Sequence, residues 1–303
     1  MQARGAAKYK RPERLEVVGE LLTTTKVGRI DKKALRQDLA QRLARSSERH
    51  SMTVPETSAQ ILTWMLEGED RFLSQVEGLT DEELRADSAL PDWTRAHVAA
   101  HVARNAEAVS RLLSWARTGE ETPMYPDMET RDREIESSAR QEPDALKADV
   151  RDTAARFDAA IDALPAQAWS ARVRTFQGRD IPASFVLWMR VREVWLHLVD
   201  MGAGASVESW PGDLVDELLD EVTTTISGPD DAPSWLLNAT DRERGWQIGK
   251  ESANRSGRQS DDAAAGVREI SGKAADLLAW LTGRSTGEGL ATDGVLPTPP
   301  HWM

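Results

Sequence analysis

The chain has no cysteine among its 303 residues, and this absence excludes disulfides, thiolate metal sites and a protein thiol nucleophile. Any chemistry that needs sulfur must take it from a cofactor. Histidine is scarce, at five residues, and Phe and Tyr together number six against eleven Trp. The longest apolar runs fall far short of the roughly 20 residues that a membrane span needs, and the first residues lack the apolar core of a signal peptide. A cytoplasmic protein without membrane attachment is expected. Neither a Gly-x-Ser-x-Gly elbow nor a Gly-rich phosphate loop occurs, which removes the usual support for Ser/His/Asp catalysis and for nucleotide binding.

Charge divides the chain. Residues 1–51 hold thirteen Lys/Arg against six Asp/Glu, a net of +7, which leaves −19 on the other 252 residues. A body this acidic repels phosphate backbones, so nucleic acid is not an expected partner. The basic stretch lacks a continuous apolar face, although residues 32–49 suit a short charged helix. We read residues 1–51 as a flexible extension, 52–203 as a helical domain and 204–303 as a second domain.

Apolar spacing carries the helical reading. Ile61, Leu62, Met65, Leu66, Phe72, Leu73 and Val76 recur at helical intervals over residues 58–79. Thr94 is placed to cap a second helix over residues 94–119, with Trp93 packing back on its first turns and Gly119 as its stop. Residues 143–164 read as a third helix, and the stretch between the second and third as a loop. Residues 169–179 are strand-like. Asp180 and Pro182 look like the start of a fourth helix running to Gly202. Beyond it, residues 211–226 and 274–282 read as helices, residues 234–237, 245–249 and 267–270 as short strands, and the Pro-rich end as extended. The fold class expected is therefore α+β in two domains, a four-helix bundle followed by a small α+β unit.

Glu193 and His197 lie four residues apart in the expected fourth helix and so share a face. Leu187, Val191, Val194, Leu198 and Val199 make that helix strongly apolar, which places the pair in the interior or at a cleft. A buried glutamate without a partner is costly, and metal ligation removes the cost. A histidine from the second helix completes a two-His, one-carboxylate set with open coordination positions, suited to Zn²⁺ and compatible with non-haem iron. His97 and His101 compete for this place. His101, one turn deeper among Val98, Val102 and Ala103, is the choice, because an imidazolium at His97 opposes the helix dipole near solvent. His50 and His301 lie in the extension and the tail. Trp93, Trp115, Trp188 and Trp195 flank these positions in sequence, and core packing is the simplest account of them.

Longer blocks add a family. Trp93-Thr-Arg-Ala-His-Val-Ala-Ala-His101-Val-Ala-Arg-Asn, Trp115-Ala-Arg-Thr-Gly-Glu-Glu-Thr-Pro-Met-Tyr125, Gly178-Arg-Asp-Ile-Pro-Ala-Ser184 and Leu187-Trp-Met-Arg-Val-Arg-Glu193-Val-Trp-Leu-His197-Leu-Val-Asp-Met-Gly202 closely resemble the mycothiol-dependent maleylpyruvate isomerases. So do Gly283-Arg284 and Pro297-Thr-Pro-Pro-His-Trp302, and the match runs from about Met52 to Met303. The resemblance implies a DinB-like four-helix bundle, a C-terminal domain related to sterol-carrier folds, and Zn²⁺ held by residues matching His101, Glu193 and His197. It implies a catalytic arginine at Arg284, mycothiol as thiol cofactor, and a small dicarboxylate, maleylpyruvate, as substrate in aromatic-compound degradation. Cis-to-trans conversion requires temporary loss of the double bond, which reversible addition of a thiolate provides. Two other readings carry the same metal set: a mycothiol-dependent S-transferase acting on another electrophile, and a zinc-binding module without catalysis. The oligomeric state has no sequence signature.

Overall fold

The computed structural model describes residues 58–249 and 267–302. The reading of residues 1–51 as an extension, with His50 in it, lies outside the described residues. Those residues form two compact units, divided between Ala203 and Gly204. The first holds α1 (Ala59–Gly78), α2 (Asp81–Arg85), α3 (Arg95–Thr118), α4 (Met128–Ala139), α5 (Pro143–Asp162), a two-stranded ribbon of β1 (Arg172–Arg174) and β2 (Asp180–Pro182), and α6 (Phe185–Asp200).

The four long helices α1, α3, α5 and α6 make the bundle, with α3 against both α5 and α6 and α1 against α6. Helix α1 buries Leu62, Met65, Phe72 and Val76, spaced three, seven and four residues apart on one face. Where α1 meets α6 the approach is close. A Cβ on Gly68 would lie 2.4 Å from Trp195 Nε1 and 2.7 Å from Val194 Cγ2. Helix α3 starts as its sequence indicates: the Thr94 side chain accepts from the His97 backbone N–H, and Gly119 ends the helix at φ 77°, a left-handed conformation that glycine adopts without a Cβ clash.

One buried ion pair ties three helices together. Arg190 on α6, 1% exposed, donates from Nε and Nη2 to Glu69 on α1 at 3.0 and 2.7 Å. Its Nη1 reaches the Val102 carbonyl and Asn105 Oδ1 on α3 at 2.8 and 3.1 Å. Each guanidinium nitrogen of Arg190 has a partner, and a buried pair is tolerated when its charged groups are hydrogen-bonded in this way.

Two sequence expectations need correction. Residues 120–142 are not one loop, because they contain α4, capped by Asp127, whose side chain accepts from Thr130 N–H at 2.6 Å. Only Ile135 and Ser138 of its twelve residues are buried, so no apolar stripe announces it. The fourth helix does not begin at Asp180. Asp180–Pro182 forms β2, paired antiparallel with β1 in the register Val173 opposite Ile181, and both of these side chains are buried. Pro182 terminates a two-stranded ribbon, where its missing N–H breaks no ladder bond on a further strand. The helix starts five residues later, at Phe185. The five-residue α2, with a Thr80/Glu83 capping box, was also not legible as a separate element.

The second unit packs α7 (Gly212–Ile226) and α8 (Ala274–Leu281) with a four-stranded sheet of order β4-β3-β5-β6, made of β3 (Trp235–Ala239), β4 (Gly245–Ile248), β5 (Arg268–Gly272) and β6 (Ala291–Thr292). β3 and β5 are parallel, and the outer strands are antiparallel to their neighbours. Leu214, Leu218, Val222 and Ile226 give α7 its buried stripe. The chain is thus an α+β protein in two parts, as its sequence indicates. No described helix is long and apolar enough to cross a membrane.

Candidate metal centre

α3 and α6 cross so that His101 faces Glu193 and His197. His101 Nε2 lies 3.0 Å from Glu193 Oε2, and His197 Nε2 lies 3.3 Å from the same oxygen. The two imidazole rings meet edge to face with centres 4.6 Å apart. One ligand atom from each residue lies within 4.8 Å of the others, and this is the one such group of three among the described residues. The His101 side chain is buried, and those of His197 and Glu193 keep 15% and 27% exposure, so the cluster is reachable from one side.

The helix ends are pinned where the ligands sit. Arg95, in the first turn of α3, donates to the Met201 and Gly202 carbonyls at 2.7 and 3.1 Å, which satisfies carbonyls left open at the end of α6. Asp200, 1% exposed, accepts from His197 Nδ1 at 2.9 Å and so turns Nε2 toward Glu193. On the other histidine the ring of Trp93 lies 5.6 Å from His101. His97 is taken up elsewhere: its Nδ1 accepts from the Thr94 backbone N–H at 3.2 Å and its Nε2 meets Glu136 at 3.0 Å. It serves the helix start.

Electrostatics distinguish the three groups. Burial pushes Glu193 upward, but hydrogen bonds with His101 and His197 outweigh it and hold the carboxyl well below its ordinary range. Burial is the leading influence on both histidines. It wins at His101, whose pKa is lowered, and loses at His197, where the bonds to Asp200 and Glu193 raise the pKa to about 9. Tyr125 is buried beside this group, and burial, then the charge of Glu193, push its phenol up to about 12.

The donor set fits a zinc ion. Four ligands at about 2.05 Å in a tetrahedron are separated by about 3.3 Å; the carboxylate oxygen lies 3.0 and 3.3 Å from the two imidazole nitrogens, close to that edge, and all three donors lie within 4.8 Å of one another. Two imidazole nitrogens and one carboxylate leave one position for an exogenous ligand.

Three residues with a place here were given no role from sequence. Asp200 had a usable signal, since it lies three residues after His197 on the same helix. Tyr125 and Arg131 had none, because both belong to the stretch read as a loop. Of the four tryptophans, Trp93 lies against a ligand. Trp188 packs on Trp64 at 6.2 Å, Trp195 donates to the Trp64 carbonyl at 2.8 Å, and Trp115 is half-buried near the end of α3. Arg284 belongs to the second unit, on the turn after α8, where its backbone N–H reaches the Ala279 carbonyl at 2.7 Å and Nη1 the Thr282 carbonyl at 2.6 Å.

Comparison with known proteins decides the family. The model described as the mycothiol maleylpyruvate isomerase N-terminal domain matches residues 65–202, and the MDMPI C-terminal domain model matches residues 209–301. The chain belongs to the mycothiol-dependent maleylpyruvate isomerase family. It is similar to the crystal structure of a mycothiol-dependent maleylpyruvate isomerase, with a TM-score of 0.72 and 34% identity over 80% of this chain and 96% of that one. A histidine-to-alanine variant of such an isomerase gives 0.72 and 33% over the same shares. No curated protein matches in the corresponding sequence comparison. Membership in this family makes the chain an enzyme.

Proposed function

We propose that the chain isomerises maleylpyruvate to fumarylpyruvate with mycothiol as its thiol, at a zinc ion held by His101, Glu193 and His197. The observation that carries this reading is the convergence of those three donors, from two helices, within 4.8 Å of one another. Mycothiol, when bound, supplies the sulfur nucleophile that a cysteine-free chain lacks, and zinc favours its deprotonated form.

The chain's own residues prepare that event. Asp200 holds the His197 Nδ1 proton and directs Nε2 toward the site, where a metal would take the place of the second proton. The Arg190–Glu69 pair fixes α6 one turn before Glu193, which holds the carboxylate in place without using it as a structural partner. The Trp93 ring packs beside His101 and limits its movement. The phenol of Tyr125 stays protonated across the working pH range and so can donate a hydrogen bond to a developing negative charge. Arg284 is assigned the family's catalytic role, holding a substrate carboxylate or the negative charge that builds next to it. In this reading residues 52–203 form the metal-binding domain and residues 204–303 supply Arg284.

The test is loss of maleylpyruvate absorbance with and without mycothiol, on native protein and on protein stripped by a chelator. Turnover should need both thiol and metal, and the thiol should be recovered in full. Turnover without mycothiol would contradict the reading, and stoichiometric consumption of the thiol would mark an S-transferase instead.

A further inference from the structure

Helix α4 carries a cation into the site. The Arg131 side chain keeps only 21% exposure, its Nη2 lies 3.3 Å from His101 Nδ1, and its guanidinium carbon lies 5.9 Å from the centre of the Tyr125 ring. It also hydrogen-bonds the Tyr125 phenol and pairs with Asp132, 2.7 Å away and largely exposed. A guanidinium has donors only, so His101 Nδ1 is an acceptor in this arrangement and Nε2 carries the proton that meets Glu193.

A metal held by His101, Glu193 and His197 would stand close to this guanidinium, and an anion placed between the two cations would relieve their repulsion. The planar fork of arginine matches a carboxylate in two parallel hydrogen bonds, and Tyr125 stands beside it as a further donor.

We propose that Arg131 is a substrate-binding residue that pairs with one carboxylate of the dicarboxylate substrate. This rests on the metal reading above. It assigns the first unit its own carboxylate anchor, separate from Arg284.

The test uses zinc affinity, read by competition with a chromogenic chelator, and binding of succinate, a dicarboxylate that cannot isomerise, to the zinc-loaded protein by calorimetry. Arg131→Gln should bind zinc about threefold tighter or more, because a neighbouring positive charge is gone. It should bind succinate about tenfold more weakly or worse, the loss expected for charge-assisted hydrogen bonds. Arg131→Lys, which keeps the charge without the fork, should recover part of the succinate binding and return zinc affinity to that of the unaltered chain. In turnover, Arg131→Gln should raise KM by a larger factor than it lowers kcat. Succinate affinity within about twofold of the unaltered chain in Arg131→Gln would overturn the assignment. An unaltered chain that holds zinc but no succinate overturns the carboxylate role alone. One that holds no zinc overturns the metal reading and this assignment with it.

Discussion

Helices α6 and α4 both reach the site and are built in opposite ways. Eleven of the sixteen residues of α6 are buried, against two of the twelve in α4. α6 is held by core packing and by the Arg190 pair to α1 and α3, whereas α4 is held by its Asp127 cap and contacts with α3. The difference separates two tasks. Metal ligands need a geometry fixed to a few tenths of an ångström and sit on the rigid element. A side chain that must meet an incoming carboxylate, as Arg131 does in this account, sits on the element with little core of its own.

The largest effect should come from the rigid side. His197→Ala is expected to lower isomerase turnover roughly a thousandfold or more while the helical circular dichroism stays near that of the unaltered chain. Retained turnover would remove the metal from the account. Next in size, Glu69→Ala leaves Arg190 charged and buried, and should cost about 3–5 kcal/mol in chemical denaturation. Ser137→Ala, on the exposed face of α4, should move the same measurement by less than about 0.5 kcal/mol. Equal losses at the two positions would erase the contrast between the helices. Asp200→Asn keeps the size of the side chain but weakens the partner of His197 Nδ1. Zinc affinity should fall about 10- to 100-fold with little change in fold, and an unchanged affinity would show that Asp200 does not orient the ligand.

The smallest effect concerns Tyr125. Its pKa is raised to about 12, so the folded protein binds more protons than the unfolded chain between the two values. The stabilisation from this group is complete below about pH 10 and is lost as the pH rises through about 12. The chain has two tyrosines. Alkaline absorbance titration of the folded protein should show one of them ionising only near pH 12, and complete ionisation of both by about pH 11 would place Tyr125 in a more open setting than described.

What was legible in the sequence follows the same division. α1, α3, α5 and the buried part of α6 announce themselves because each must cover a core and so repeats apolar residues at helical spacing. Glu193 and His197 were readable as a pair for that reason, and His101 by its depth in α3. α4 was not, since Met128–Ala139 buries too little to leave a period, and Arg131 was hidden with it. The error at Asp180 has another cause. An acid followed by proline suits a helix start and a strand end equally, and only pairing with Arg172–Arg174, distant information for a local pattern, decides between them. Asp200 shows a third limit, because a buried aspartate three residues past a histidine has meaning only once the histidine is known to face a site.

The most direct test of the metal centre is anomalous diffraction at the zinc edge on crystals of protein purified without added metal. The account predicts one ion per chain at about 2.0–2.2 Å from nitrogen atoms of His101 and His197 and a carboxylate oxygen of Glu193, with a position open to an exogenous ligand. An ion enclosed by four protein ligands, or held by other residues, would contradict it.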